Sequence, residues 1–384
     1  MIIEKNVLTK ISLPILLISL PLTAMNVLLP VFTTRLGLTP IQVTGLFSVF
    51  SLGLVIFRLI IGHVSDRVGR KPIFILGILF YLLSYFIFYK STTLPLIYLA
   101  RGLQSIAAVF ISISTYSMIA DMNDKNNAHN FGKLSSYSEK GGLFGIALCF
   151  VFLYNTETVV GWAKLFFTCS IAAAIALVYS LINIKETKVV DNNSEDNIAK
   201  FLLPSDKFKL VLFNLVARIF MSVVLSIFVL YLQAKFDSDL LEIALAFIIP
   251  SVIIAFTSPR IGTTSDKIGA NKATTVSLLM LSVSLFVIPY LGNIYLYAVI
   301  WTVYCIALTM LDVTINGIFV EGIAEEIKGS AIGQLTTAAN IGNIIGPIVG
   351  GLAFQNIGLK APYLISSVGF ISLFLFSLKN LKSK

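Results

Sequence analysis

The sequence predicts an all-α membrane protein: twelve transmembrane helices arranged as two six-helix pseudo-repeats. Three observations predict it: an apolar composition, a count of membrane-length runs and a 200-residue internal repeat. Of 384 residues, 57% are hydrophobic and 12% charged, with a mean hydropathy of +0.91. Soluble domains hold roughly 45–50% apolar and 25% charged residues. A single soluble core stops growing beyond roughly 250–300 residues, so it would not hide this much apolar surface. The formal charge of +9 is therefore read from where the cations fall before any acidic partner is invoked.

A helix needs about 20 apolar residues to cross roughly 30 Å of hydrocarbon. Twelve runs qualify: 11–34, 41–61, 73–90, 94–119, 131–154, 159–184, 209–233, 240–259, 273–291, 294–320, 331–355 and 359–379. The N-terminal MIIEKNVLTK leads into the first run without a small-residue cleavage site, so that run is expected to be a retained span. The polar stretch VVDNNSEDN marks 185–208 as a flexible linker between an N-terminal bundle, 1–184, and a C-terminal bundle, 209–384. With the N-terminus inside, and cations near a span end counted with the adjoining side, 19 of the 28 Lys and Arg are cytoplasmic, five lie opposite, and four fall deeper within spans. This asymmetry places both termini in the cytoplasm of a plasma (inner) membrane protein and makes the basic excess topological; no nucleic-acid partner is expected.

The halves repeat. A shift of 200 residues lays GHVSDRVGRKP (62–72) on GTTSDKIGANK (262–272), matching Gly62, Ser65, Asp66 and Gly69 to Gly262, Ser265, Asp266 and Gly269. Asp121 meets Glu321 at the same shift, and at 201 residues Gly132, Leu134, Gly141 and Gly145 meet Gly333, Leu335, Gly342 and Gly346. Parallel six-helix repeats suit transporters that rock two bundles about a midplane site.

Span one carries Ser19, Thr23, Asn26 and Pro30 on one face. Span two leads into the 62–72 segment, where Gly62 and Gly69 permit a tight turn. Arg67, Arg70 and Lys71 can pair there with Asp66, with helix C-terminal carbonyls or with anionic headgroups. The segment closely resembles the loop between helices two and three of the major facilitator superfamily. Span number, linker and repeat extend that resemblance over essentially the whole chain. It implies the superfamily fold and a gating role for the loop, including its second copy at Gly262, Asp266, Lys267 and Gly269; a plain positive-inside turn fits the same residues. The second copy has Ala270 and Asn271 in place of two cations, so its latch is expected to be weaker.

Span four holds Arg101, Gln104, Ser105, Ala108 and Ser112 on one stripe. An arginine about 10 Å into a span, at ~1.5 Å per residue, is expensive in lipid and marks a functional candidate. It resembles the superfamily's helix-four arginine motif, which implies proton coupling; pairing helix four to a neighbour is the other reading. Glu139 (beside Lys140), Arg218 and Asp312, in spans five, seven and ten, lie roughly 12 to 13 Å from the cytoplasmic end at ~1.5 Å per residue. Each sits on a polar stripe: Ser135, Glu139 and Gly142; Asn214, Arg218 and Ser222; Thr309, Asp312 and Asn316. Arg218 is expected to pair with Asp312, and Glu139 to be protonatable. Static pairs that hold helices together fit equally.

Span eleven presents Thr336, Asn340, Asn343 and Pro347 on one face and the run GNIIGPIVGG (342–351). Its small residues Gly342, Gly346, Gly350 and Gly351 permit close helix packing, and Pro347 interrupts the hydrogen-bond ladder. The run resembles the antiporter signature of helix five in the superfamily. Span five itself keeps Gly141 and Gly145 but has Ile146, Cys149 and Phe150 where that signature has its proline and glycine pair, and span one lacks an acidic residue. In the superfamily, helices one, four, seven and ten line the cavity and five and eleven flank it. That makes Thr23, Asn26, Gln104, Asn316, Asn340 and Asn343 candidate cavity walls, or else interhelical glue.

Cys149, Cys169 and Cys305 lie in apolar stretches without metal spacing. His63 and His129 lie in loops, and no phosphate-binding glycine loop or metal cluster is present in the sequence, so neither an enzyme nor a cofactor is expected. The resemblance implies a monomeric secondary transporter working by alternating access. Its leading subtype is export of a small organic drug or metabolite coupled to H+. The alternatives are a proton-linked importer of a nutrient or metabolite and, more remotely, a non-transporting membrane sensor.

Overall fold

A computed structural model describes residues 7–122, 127–153, 158–187, 205–321, 323 and 325–380. All regular structure among them is helical. The chain divides into two compact units, Met1–Leu38 with Val49–Asn197, and Thr39–Ser48 with Ile198–Lys384.

The first unit holds α1 (Val7–Ile18), α2 (Leu22–Arg35), α3 (Pro40–Val68) from Val49 onward, α4 (Arg70–Lys90), α5 (Leu94–Asp121), α6 (Asn127–Leu153) and α7 (Thr158–Asn183). Span one is thus two helices rather than one. Pro21 has no N–H for the carbonyl four residues back, and its ring crowds that turn. The chain closes the gap with a tighter bond from Leu22 N to Ser19 O, 3.1 Å, before α2 resumes. Pro14 and Pro30, by contrast, remain inside α1 and α2.

A second difference concerns the glycine-rich segments. α3 stays helical through Gly62 and Asp66 and breaks only at Gly69, whose φ of +111° is a left-handed value suited to glycine. The turn read at Gly62 is therefore absent, and one residue joins α3 to α4. The second unit does the same: α9 (Leu240–Ile268) runs helically past Gly262 and breaks at Gly269, φ +87°, before α10 (Ala270–Val287).

The second unit also holds α8 (Ser205–Phe236), α11 (Ile294–Val320), α12 (Glu325–Asn356), α13 (Ala361–Asn380) and the first turns of α3. There Ser48 Oγ donates to Ile344 O at 2.8 Å. Its core is aromatic: Trp301 stacks on Tyr304 at 4.7 Å, and the Tyr297 and Tyr363 hydroxyls meet at 3.1 Å. In the first unit Phe32 of α2 stacks on Trp162 of α7 at 4.0 Å, and Trp162 Nε1 donates to Phe88 O.

In each unit a glycine face admits a neighbouring backbone. A Cβ on Gly145 would stand 1.6 Å from Leu20 O, and one on Gly141 2.3 Å from Leu16 O, so α6 lies directly against the α1–α2 break. Gly342, Gly346 and Gly350 of α12 meet α8 in the same way, at Leu215 O, Ile219 O and Val223 O. Gly351 faces Thr44 and Ile41, and Pro347 stays within α12.

Among the described residues, nine helices are long and apolar enough to cross a membrane. Of the twelve expected runs, three fall short. The first is broken at Pro21, α6 carries Lys133, Glu139, Lys140 and several serines in its first half, and the described apolar stretch of α9 is only Leu241–Ile254. Large apolar side chains stand exposed along the helices, Phe256 at 77% and Ile182 at 75% among them. That is the surface a bilayer would cover.

Candidate functional site

In the first unit a cavity of about 260 Å³ opens where α1 gives way to α2. Three polar stripes converge on it: Ser19 beside the break, Ser112 and Thr115 from α5, and Ser135 and Ser138 from α6, with Tyr81 of α4 closing one wall. Among the described residues no charged side chain lines it. Ser19 Oγ and Ser138 Oγ lie 3.0 Å apart, while Ser112 donates to Val109 O and Thr115 to Ile111 O. A hydroxyl that donates to a carbonyl keeps lone pairs to accept with. The walls therefore offer neutral acceptors beside apolar surface.

Arg101 is 5% exposed. Its Nη1 donates to Gln104 Oε1 one turn along α5 at 2.5 Å, and the guanidinium carbon lies 4.3 Å from the centre of the Phe50 ring on α3. This cation–π contact compensates desolvation in a way that lysine matches poorly. Gln104 Nε2 is buried and has no hydrogen-bond partner among the described residues.

In the second unit the structure brings Arg218 of α8 and Asp312 of α11 together, Nη2 to Oδ1 at 2.7 Å. Their side chains are 26% and 35% exposed, so the pair keeps some accessible surface although both residues sit well inside apolar helices. Arg218 Nε and the hydroxyl of Tyr304 are buried without partners among the described residues. Gly342 leaves room for this arrangement: a Cβ there would stand 2.7 Å from Arg218 Cβ. Asn316 is exposed and donates to Asp312 O, and Asn214 ties α8 to α12 through Leu335 O.

Glu139 and Lys140 are exposed on α6, with Lys140 Nζ 5.2 Å from the Tyr137 ring. Asn26 is exposed, and Asn340 and Asn343 are half-buried on α12. For Thr23, Gly62, Asp66 and Asp266 only the helical backbone is described, and their side chains lie outside the described residues.

Around Gly69 the first unit builds a tied corner. The Glu186 carboxylate accepts from the amides of Arg70 at 2.8 Å and Lys71 at 3.1 Å, the open N-terminus of α4. An anion there satisfies orphan donors and meets the positive end of the helix dipole. Arg70 pairs with Asp121 at 3.3 Å and reaches Ser65 Oγ, Thr187 donates to Asp121, and Lys71 Nζ caps α7 at Leu181 O. Among the described residues the second unit shows no such corner: none lies within 4 Å of a Cβ built on Gly269, and α10 has no side-chain cap. Lys207 instead donates to Ile318 O and Glu321 O at the end of α11, and Lys267 is exposed.

Glu186, Thr187, Phe50, Tyr81 and Tyr304 were not singled out by sequence. A signal existed for Tyr304, which stands eight residues before Asp312 on the same broad stripe of α11. For the others the partners are remote in the chain.

The description of the Major Facilitator Superfamily matches residues 12–310 and again 210–383. The chain belongs to the major facilitator superfamily. It is a multi-pass membrane transporter of that superfamily with a small-molecule substrate, and its family and fold are those of a transporter rather than an enzyme. It is 25% identical over 316 residues to the tetracycline resistance protein, class H, of Pasteurella multocida, covering 79% of this chain and 77% of that one. Multidrug resistance protein 1 of Bacillus subtilis (strain 168) is 24% identical over 347 residues, 88% and 87% of the two chains. The structure of the nucleoside transporter NupG superposes with a TM-score of 0.73 at 17% identity, over 99% and 100% of the chains, a likeness of fold.

Proposed function

We propose that this superfamily member is a secondary active transporter that exports a small organic molecule against H+ by alternating access. The observation that carries the reading is the Arg218–Asp312 pair, an ion pair inside apolar helices that is still partly exposed. A charge is retained at such a depth when it serves a substrate or ion pathway. A carboxylate whose cationic partner comes and goes changes its proton affinity with conformation. Relatives named for tetracycline and multidrug resistance support export. The second family match, over 210–383, supports two six-helix bundles, 1–184 and 209–384, joined by 185–208. The lysine and arginine distribution supports cytoplasmic termini in the plasma membrane. In this reading Arg101 and Glu139 contribute to coupling, the Gly69 corner to gating, and the chain works as a monomer.

Purified protein in vesicles under an imposed pH gradient tests this with a panel of neutral and cationic dyes. Dye should move against the proton flow, and Asp312→Asn or Glu139→Gln should abolish the pH dependence. If both variants keep the wild-type pH dependence, proton coupling through these carboxylates is wrong. The neutral hydroxyl walls of the first-unit cavity favour a second reading, proton-linked import of an uncharged solute. Saturable accumulation in cells expressing the protein would establish import, and lowered accumulation export.

A further inference from the structure

A cavity of about 990 Å³ lies away from these charges, between α8 and α13 of the second unit. That is the upper end of the roughly 300–1,000 Å³ typical of ligand pockets. Phe213 and Leu373 form a buried floor at 5% and 8% exposure, while the rim residues Val368 and Phe376 are 64% and 44% exposed. The groove therefore opens outward from the protein. Among the described residues its only polar lining side chains are Lys209 and Ser372. The Ser372 hydroxyl donates to Val368 O at 2.8 Å and keeps only acceptor capacity, which leaves Lys209 as the single donor for an anion.

Lys209 is exposed and stands at one end of the groove, two residues inside the apolar stretch that begins at Lys207. Phe220 lines the far end. Eleven residues of α8 at ~1.5 Å each separate them by about 16 Å, close to half of a hydrocarbon layer roughly 30 Å thick. The occupant that fits has an anionic group at one end and an apolar tail one leaflet deep, and no carboxylate among the described lining residues repels it. We infer that this groove is a binding site for an anionic glycerophospholipid, its phosphate on Lys209 and an acyl chain along Phe213 toward Phe220. Assignment to the cytoplasmic leaflet rests on the orientation proposed above; the binding itself does not.

Native mass spectrometry of the full-length protein in detergent tests it with phosphatidylglycerol and phosphatidylcholine offered at equal concentration. One phosphatidylglycerol should be retained in preference. Lys209→Gln should reduce that preference about fivefold, the ~1 kcal/mol of one lysine facing an anionic surface. Lys235→Gln, at the opposite end of α8, should leave it unchanged, and Ser372→Trp should displace the lipid by filling the groove. Equal retention of the two lipids by the wild type would overturn the inference, as would equal losses in the two lysine variants. The lysine variants decide the matter even if Ser372→Trp fails to fold. Because no transport is measured, failure here leaves the transport proposal standing, and failure of transport leaves this one.

Discussion

Gly145→Ala isolates the contact that shapes the first-unit cavity. In a helix interior alanine is favoured over glycine by about 1 kcal/mol, so helix propensity alone predicts stabilisation. At Gly145, however, the added Cβ would lie 1.6 Å from Leu20 O and 2.5 Å from Leu20 C. Those are backbone atoms at the edge of the Pro21 break, so the strain is relieved only if α6 moves away from the α1–α2 junction. Overpacking of this kind costs about 1–3 kcal/mol, here at the upper end because no flexible side chain can yield. The net expectation is a loss of about 1–2 kcal/mol, set by the difference between those two principles. Gly102→Ala on α5 is the control: nothing lies within 4 Å of its Cβ, so it should be neutral or stabilising by up to about 1 kcal/mol. Thermal unfolding of the two purified variants in one detergent reads the contrast as shifts of opposite sign. A Gly145→Ala midpoint at or above that of the wild type would refute the claim that α6 packs on the carbonyls of the break.

Breaking the Arg218–Asp312 pair from one side leaves a stranded charge, which costs about 3–5 kcal/mol in a fully buried pair and about 0–1 at a surface. At 26% and 35% exposure an intermediate coupling of about 1–2 kcal/mol follows from those limits. A double-mutant cycle of Arg218→Gln and Asp312→Asn measures it, and simple additivity would disprove the pairing. Glu186→Gln removes the anion from the α4 N-terminus and should cost about 0.3–1 kcal/mol, less in high salt. It should speed hydrogen exchange of the Arg70 and Lys71 amides selectively. Gly342→Ala should push on Arg218 Cβ and lower stability, whereas Gly333→Ala on the same helix meets nothing within 4 Å and should not.

The apolar runs and polar stripes were legible because each is a local pattern: a run of about 20 residues or a helical period is written in neighbouring positions. Ser19, Ser112 and Ser135 could be placed on stripes in that way, but not the fact that the stripes meet at one cavity. The break at Pro21 was less legible, since Pro14 and Pro30 lie in the same span and stay within helices. Gly62 and Gly69 looked alike in sequence, yet only Gly69 takes a left-handed φ. Glu186 was hidden for a different reason: it acts on α4 from 115 residues away, and no periodicity links the two.

Composition and run length were enough to determine an all-helical, multi-pass membrane chain, because the bilayer imposes one rule on every residue that enters it. Tertiary structure alone decided which polar residues share a site. It set Arg218 against Asp312, Arg101 against Phe50, the hydroxyls of α5 and α6 around a broken helix, and Lys209 at the mouth of an apolar groove. Two of those juxtapositions depend on a glycine facing a carbonyl, Gly342 on Leu215 O beside Arg218 and Gly145 on Leu20 O beside the broken helix, and that relation spans more than a hundred positions in the chain.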